Sequence, residues 1–469
     1  MKKLLLLSGA IAALAITSCK KNSNEANQIS TPPFQVGQIV TGDTIPASVK
    51  GTLQAGKTYH LTQLSTVPAG DTLVIQPGCT VQVSSTPTSP SGLVVKGTLL
   101  SLGTEASPIW LTVPGIAKNE TPGFTTDPAF TSTDLWLGIM GDTTCSLMVI
   151  KWTHVEFTGA GLGNNPPVAG LSAGDPSFAI YYQNNNTKGQ FILEDSWIYG
   201  TYDDAVRVQG GKMNIMRNTL EKCGSNDGDV LNVKGGTVGN IAYNLVIGGA
   251  TNGIKISNVN QPTGTPETDI IAYNNTLVNC GYRQSTLTGK GGSINYEKGA
   301  EGMVYNNLLV DCKVGLRMNN ASSAPDTTNM HYGYTYNYVD ADSTAEQIYP
   351  PTYLTHPQTS DIPTPSSYLY SPFPLGDTIG AVAGAKVVGL GNPKFVNYTL
   401  PNLQFAEIDY VGTYSFKLAG GSPAIGKGTT SFTPYSATNF TTNSNYAPTV
   451  TAPGADMGAY QSNGTGNQH

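Results

Sequence analysis

The chain has 469 residues with only 12% charged, a formal net charge of −6 at pH 7, and 54 Gly and 30 Pro. No basic patch is visible in it, which argues against nucleic acids and polyanionic surfaces as partners. This composition suits many short strands joined by tight turns, and helical periodicity is hard to find past the first residues.

The N-terminus has Lys2 and Lys3, then an apolar run to Ile16, then Thr17, Ser18 and Cys19. That run is too short to span a bilayer, so residues 1–18 read as a signal peptide. The series Ile16-Thr17-Ser18-Cys19 looks like a lipobox, whose cysteine is lipidated and anchors the mature protein to a membrane. Lys20 stands where an aspartate favours inner-membrane retention, so the outer membrane is expected, facing either the medium or the periplasm. Loss of Lys2 and Lys3 moves the formal charge from −6 to −8 (−6 − 2). Residues 19–35 form a polar, flexible tether.

Residues 36–135 read as N-terminal coils and a cap, through Leu73-Val-Ile-Gln-Pro-Gly-Cys-Thr-Val81, Leu93-Val-Val-Lys-Gly-Thr-Leu99 and Ser107-Pro-Ile-Trp-Leu-Thr112. A small excursion is expected over residues 113–134. His154 and Glu156 alternate with Val155 and Phe157, so the pair is expected on one outer face, titrating together.

Residues 136–320 repeat themselves. Asn218-Thr-Leu-Glu-Lys-Cys223, Asn275-Thr-Leu-Val-Asn-Cys280 and Asn307-Leu-Leu-Val-Asp-Cys312 share a frame with Asn244-Leu-Val-Ile-Gly-Gly249. The asparagines at 218, 244, 275 and 307 lie 26, 31 and 32 residues apart, a period that means stacked supersecondary units. Each unit ends in a short strand with one polar residue between apolar ones: Ala205-Val-Arg-Val208, Val230-Leu-Asn-Val233, Gly253-Ile-Lys-Ile256, Ser293-Ile-Asn-Tyr296 and Gly315-Leu-Arg-Met318. A parallel β-solenoid follows, with a right hand expected from chain chirality. Stacking at about 4.8 Å turns the asparagines into a ladder. It also sets Cys280 beside Cys312, as small buried hydrophobes or as a disulfide between rungs. Without Cys19 five cysteines remain, an odd number.

Two polar rows fall out of this stacking. Asp204, Asp229 and Asn252 align 25 and 23 residues apart. As strand-start caps they would satisfy turn amides. As an enzyme site, Asp204 and Asp229 would be the acid and base or nucleophile of a glycoside hydrolase, retaining at a separation of roughly 5 Å. As a metal site, Asp204, Asp229 and Asn252, with Asp203 and Asp227, offer oxygens for Ca²⁺. Asp204 shares the inward parity of Val206 unless a corner intervenes. The outward row is Arg207, Asn232, Lys255, Asn295 and Arg317, which on the residues alone reads as a solvated face.

Residues 321–385 break the repeat with a Pro-, Tyr- and Ser-rich excursion. There Tyr332, Tyr334, Tyr336 and Tyr338 alternate, so an extended strand would set them on one face as a sugar-binding platform. Residues 386–469 read as C-terminal coils and a closing module, through Asn392-Pro-Lys-Phe-Val-Asn397, Phe416-Lys-Leu418, Gly421-Ser-Pro-Ala-Ile425 and Ala455-Asp-Met-Gly-Ala-Tyr460.

The opening coils and the closing module together resemble secreted right-handed parallel β-helix lipoproteins of the pectate-lyase-like superfamily. The resemblance implies an all-β, right-handed parallel β-helix with long loop excursions, and carbohydrate as the partner. In β-helix polysaccharide lyases a Lys or Arg abstracts a proton beside a uronate carboxylate neutralised by Ca²⁺, which would give Arg207, Lys255 or Arg317 that role. The architecture also carries hydrolases, adhesins and inert stalks. The sequence therefore leads to an anchored β-helix that binds a polysaccharide along its coil, with a polysaccharide lyase or glycoside hydrolase, or an adhesive or structural surface protein, as the other readings.

Overall fold

The computed structural model describes residues 34–118, 128–184, 188–225, 227–281, 292–310, 312, 316–319, 330–333, 336–338, 392–398, 414–437, 440 and 445–469. Signal peptide, Cys19, Tyr334 and most of the tether and of residues 321–385 lie outside them. Three parallel sheets of ten, ten and nine strands stack along one axis, each drawing on every third strand of the chain. The first runs from Gly51–Leu53 to Met330–Gly333, the second from Thr58–Leu61 to Tyr336–Tyr338, and the third from Leu64–Val67 to Arg317–Asn319. The fold is a parallel β-helix.

Strand parity builds the interior. Val206, Leu231, Ile254 and Ile294 stand opposite one another on successive rungs of the third sheet and face the core. Arg207, Asn232, Lys255, Asn295 and Arg317 stand opposite one another on the alternate positions, as their parity predicts. Cys223, Cys280 and Cys312 are inward and buried and none is disulfide-bonded, so the bridge between Cys280 and Cys312 does not form. Their neighbour Gly249 stands on the rung between, where an added Cβ would lie 3.6 Å from the Cys280 sulfur.

The corner between the first and second sheets explains the repeated asparagine. Asp195, Arg217, Tyr243, Asn274 and Asn306 all adopt positive φ, between 49° and 59°. Such a turn costs about 1–2 kcal/mol for each non-glycine residue. The following residue compensates it. Asn275 Oδ1 accepts from the amide of Asn244 at 3.0 Å and from its Nδ2 at 2.9 Å, while Asn275 Nδ2 donates to Ile241 O and to Asn307 Oδ1, both at 2.9 Å. The ladder continues downward through Asn218 to Ser196 and Thr153, where hydroxyls replace amides.

Residues 414–469 add no further rung among the described residues. A short antiparallel pair, Phe395–Asn397 with Ser415–Leu418, and Tyr460 cover the apolar outer face of the second sheet at Leu245, Val278 and Leu308. The chain then straps the outside of the first sheet. Phe432 lies 5.5 Å from Tyr273 and 5.1 Å from Tyr305 between ring centroids, and Phe440 joins Val74, Leu100, Val149 and Ile192. Returning, the strap is pinned by charge. Lys151 Nζ donates to Ala447 O at 2.6 Å, Arg217 donates to Thr449 O at 2.9 Å, and the Thr449 amide donates to Glu194 at 2.8 Å. The expectation of C-terminal coils is thereby replaced by a clasp, because this segment's apolar residues match the outer faces of rungs already built.

The described parts of the two excursions carry short elements of their own. Residues 128–131 within the first form a helical turn, Pro128–Thr131. In the second, Met330–Gly333 and Tyr336–Tyr338 extend the first and second sheets by another rung.

Candidate functional site

The chain turns from the second sheet into the third at residues 202–205, and one rung later ahead of the strand Leu231–Lys234. Ala205 and Val206 are both buried in the core, so a corner separates Asp204 from the strand parity and turns its carboxylate toward the outward row. The two rows read separately from the sequence thus become one network.

Asp204 Oδ1 accepts the Asp229 amide at 2.6 Å, and Asp229 Oδ1 in turn accepts the Asn252 amide at 3.2 Å. Asp229 Oδ1 also accepts from Thr251 Oγ1 at 2.6 Å and Asn252 Nδ2 at 2.7 Å. The other oxygens face the cations. Asp204 Oδ2 accepts from Arg207 Nε at 2.6 Å and Asn232 Nδ2 at 2.9 Å, and Asp229 Oδ2 accepts from Asn232 Nδ2 at 3.1 Å with Lys255 Nζ at 3.7 Å. Lys255 also approaches Glu297 Oε1 at 3.6 Å, and Asn295 donates to Glu297 at 3.1 Å. Phe178 lies against the guanidinium of Arg207, 3.9 Å from ring centroid to Cζ.

The electrostatics follow from burial opposed by pairing. Asp204 is 1% exposed and Asp229 4%. Burial pushes Asp229 up, but Lys255, Thr251 and Asn252 outweigh it and hold the carboxyl below its ordinary value. Asp229 in turn raises Lys255, and Asp204 raises Arg207 against the effect of burial, so both stay cationic. Asp203 is pushed up to about 8 by burial and by neighbouring Asp204.

Every oxygen of Asp204 and Asp229 is therefore engaged by donors, and their charge is balanced by Arg207 and Lys255. Ca²⁺ does not fit Asp204, Asp229 and Asn252, since a hard cation would have to displace those donors and share the site with two cationic side chains. Nor do Asp204 and Asp229 suit an acid and base, being shielded from solvent and spent as caps. They cap strand starts and position the cations.

Sequence reasoning missed Glu297, Lys234 and the glutamines. Gln183, Gln209 and Lys234 stand in register on the rungs beside Arg207 and Asn232, two positions further along each strand. Burial, with Arg207 and Lys255 nearby, lowers Lys234 to about 8. The parity of Val233 and Lys234 was the available signal. Three carbonyl oxygens in the network, Asn232 Oδ1, Asn252 Oδ1 and Asn295 Oδ1, are buried and without a partner.

Among the other candidates, Tyr332 belongs to the first sheet, opposite Val304, whereas Tyr336 and Tyr338 belong to the second, opposite Leu308 and Val310. The single extended platform is thus divided between two sheets. Arg317 stands in register opposite Asn295. His154 and Glu156 do share the outer face of the second sheet, with 3.8 Å between Nδ1 and Oε1. Trp110 and Trp197 sandwich His154 at 3.6 and 4.2 Å between centroids, nearly parallel. Burial, then Lys118 and His469, lower His154 to about 3.

Comparison with protein-family models found no match, and searches of curated proteins and of solved structures found none either. The class defined here is that of a parallel β-helix carrying a buried charged ladder under an outward polar row. No described helix is long and apolar enough to cross a membrane.

Proposed function

We propose that the protein is an exported, outer-membrane lipoprotein that holds a polysaccharide along the outer face of its third sheet. The observation that carries this reading is the in-register row from Arg207 through Asn232, Lys255 and Asn295 to Arg317. Arg207 and Lys255 keep part of their side chains exposed in that row, and their N–H groups are donors for the oxygens of a sugar. The lipobox at Cys19 supplies the anchor.

Affinity electrophoresis through neutral and acidic polysaccharides tests the binding. Retardation by at least one is expected, together with its loss when Arg207 and Lys255 are both changed to methionine, with thermal unfolding confirming that the double variant is folded. No retardation by any, or equal retardation of the double variant, would refute the reading. Palmitate labelling, with Cys19→Ala released from the membrane fraction, checks the anchor.

A second reading, a polysaccharide lyase, is favoured by Lys234. A base must be deprotonated to abstract a proton, and Arg207 and Lys255 are held charged while Lys234 titrates near 8. Uronate polymers would then yield absorbing unsaturated ends at a rate rising with pH through about 8, and Lys234→Met would lose it. A flat pH profile, or an active Lys234→Met protein, removes this reading.

A further inference from the structure

A cleft of about 370 Å³ opens at the corner where the second sheet turns into the third. Residues of the segments 130–135, 159–161 and 174–176 line it, with Pro87 and Tyr202. Its volume is in the range of small-molecule sites.

The walls are tied down by the backbone. Gly159 and Ala160 both donate to Trp136 O, at 2.9 and 3.2 Å, and Leu162 donates to Asp175 O at 2.8 Å. Ser132 donates to Pro128 O at 3.1 Å, closing the helical turn beneath Phe130. Gly159, at φ 103°, is required by close approach, because an added Cβ would lie 2.4 Å from the Tyr202 Cβ one rung above. Tyr202 stays 36% exposed, one of the few large apolar side chains to do so among the described residues.

The lining also specifies the ligand. No described residue that lines the cleft is charged, which disfavours a phosphate, a uronate or a cation. Tyr202, Pro87 and Pro176 present flat apolar surface, and Ser132, Thr133 and the tyrosine hydroxyl present hydrogen-bonding groups. A pyranose ring has that combination, with an apolar C–H face and a rim of hydroxyls. Tyr202 also lies two residues before Asp204, on the corner where the charged ladder begins.

We propose that this cleft is a subsite for one uncharged pyranose of a bound glycan, with the ring seated on Tyr202. The proposal rests on the glycan-binding reading above and adds to it a place and a sugar class. Gly161 makes it testable without disturbing the fold. Gly161 lines the cleft and a Cβ there meets no atom within 4 Å, so a large side chain can be placed at its rim without displacing the protein.

Titration calorimetry would compare cellohexaose, mannohexaose and xylohexaose with hexagalacturonate, using wild type, Gly161→Trp and Tyr202→Ala. The expected result is binding of a neutral oligosaccharide that weakens at least tenfold in Gly161→Trp, which adds bulk at the cleft rim, and in Tyr202→Ala, which removes its ring. Thermal unfolding confirms that each variant is folded, and either alone suffices if the other is not. Undiminished neutral-glycan binding in the folded variants overturns the subsite while leaving the glycan reading intact. Binding of hexagalacturonate alone overturns the uncharged class. If no oligosaccharide binds wild type and no polysaccharide retards it, both proposals fall.

Discussion

Single residues here are held by opposed terms of similar size, and Asp229 shows the balance. Its burial is unfavourable, and four donors together with Lys255 reverse the sign. Replacing it with alanine would strand the Asn252 amide and leave Lys255 with less compensation in a buried site. Breaking a buried pair by removing one partner costs about 3–5 kcal/mol. Asp229→Ala is expected to lose about 3 kcal/mol, read from the urea midpoint at unchanged slope, and a loss below about 1 kcal/mol would show that the ladder does not hold this corner. His154 behaves in the opposite sense. Its folded value of about 3 lies below the ordinary 6.5, so the unfolded chain binds a proton that the native one refuses. Above pH 6.5 this costs nothing. As pH falls from 6.5 toward 3, stability falls by about 1.4 kcal/mol per unit from this group. His154→Phe, which keeps an aromatic ring between Trp110 and Trp197, is expected to flatten that slope relative to wild type in pH-dependent melting; parallel slopes would contradict it.

At the scale of the element, the repeated asparagine matters more than any strand. Each bends the chain after a residue in the left-handed region and passes its hydrogen bonds to the next rung. Asn275→Leu is of similar size but removes four hydrogen bonds and orphans the Asn244 amide. Leaving a buried group unsatisfied costs about 1–3 kcal/mol, so destabilisation of about 3 kcal/mol is expected, against a small effect for a surface change such as Lys57→Ala. The period of these asparagines made the coil legible before any coordinates, and Arg207 to Arg317 could be stacked in order from it. Corners were not legible in the same way. Strand parity fails across a turn, so Asp204 could not be oriented, and its contact with Arg207 had to be seen. Glu297 and Lys234 were missed because they sit at strand ends, where a polar residue carries no sequence signal of facing its neighbours. The Tyr-rich stretch misled for a related reason. Alternation over seven residues reads as one strand, and nothing in those side chains announces the change of sheet between Tyr332 and Tyr336.

For the whole molecule, a solenoid binds each rung only to its neighbours, and its stability is nearly a sum of local terms that permits piecemeal unfolding. The C-terminal clasp changes that. It joins Phe34 through Tyr446, Lys151 through Ala447, Arg217 through Thr449 and Asn306 through Thr429, groups many rungs apart. It also covers Ile271, Tyr273, Leu100 and Ile192 on outward faces that would otherwise meet water. A chain ending at residue 431 keeps every strand of the three sheets but loses Phe432, Tyr435, Phe440 and the return path. Its urea transition is expected to broaden into more than one step, detected as non-coincident near- and far-ultraviolet dichroism, and it should bind a hydrophobic dye while native secondary structure persists. The full chain should unfold in one coincident transition, because separating any rung then requires releasing the strap that crosses the others. If the shortened chain unfolds in one step at the same midpoint, the strap contributes neither stability nor cooperativity, and the coil's own ladders suffice.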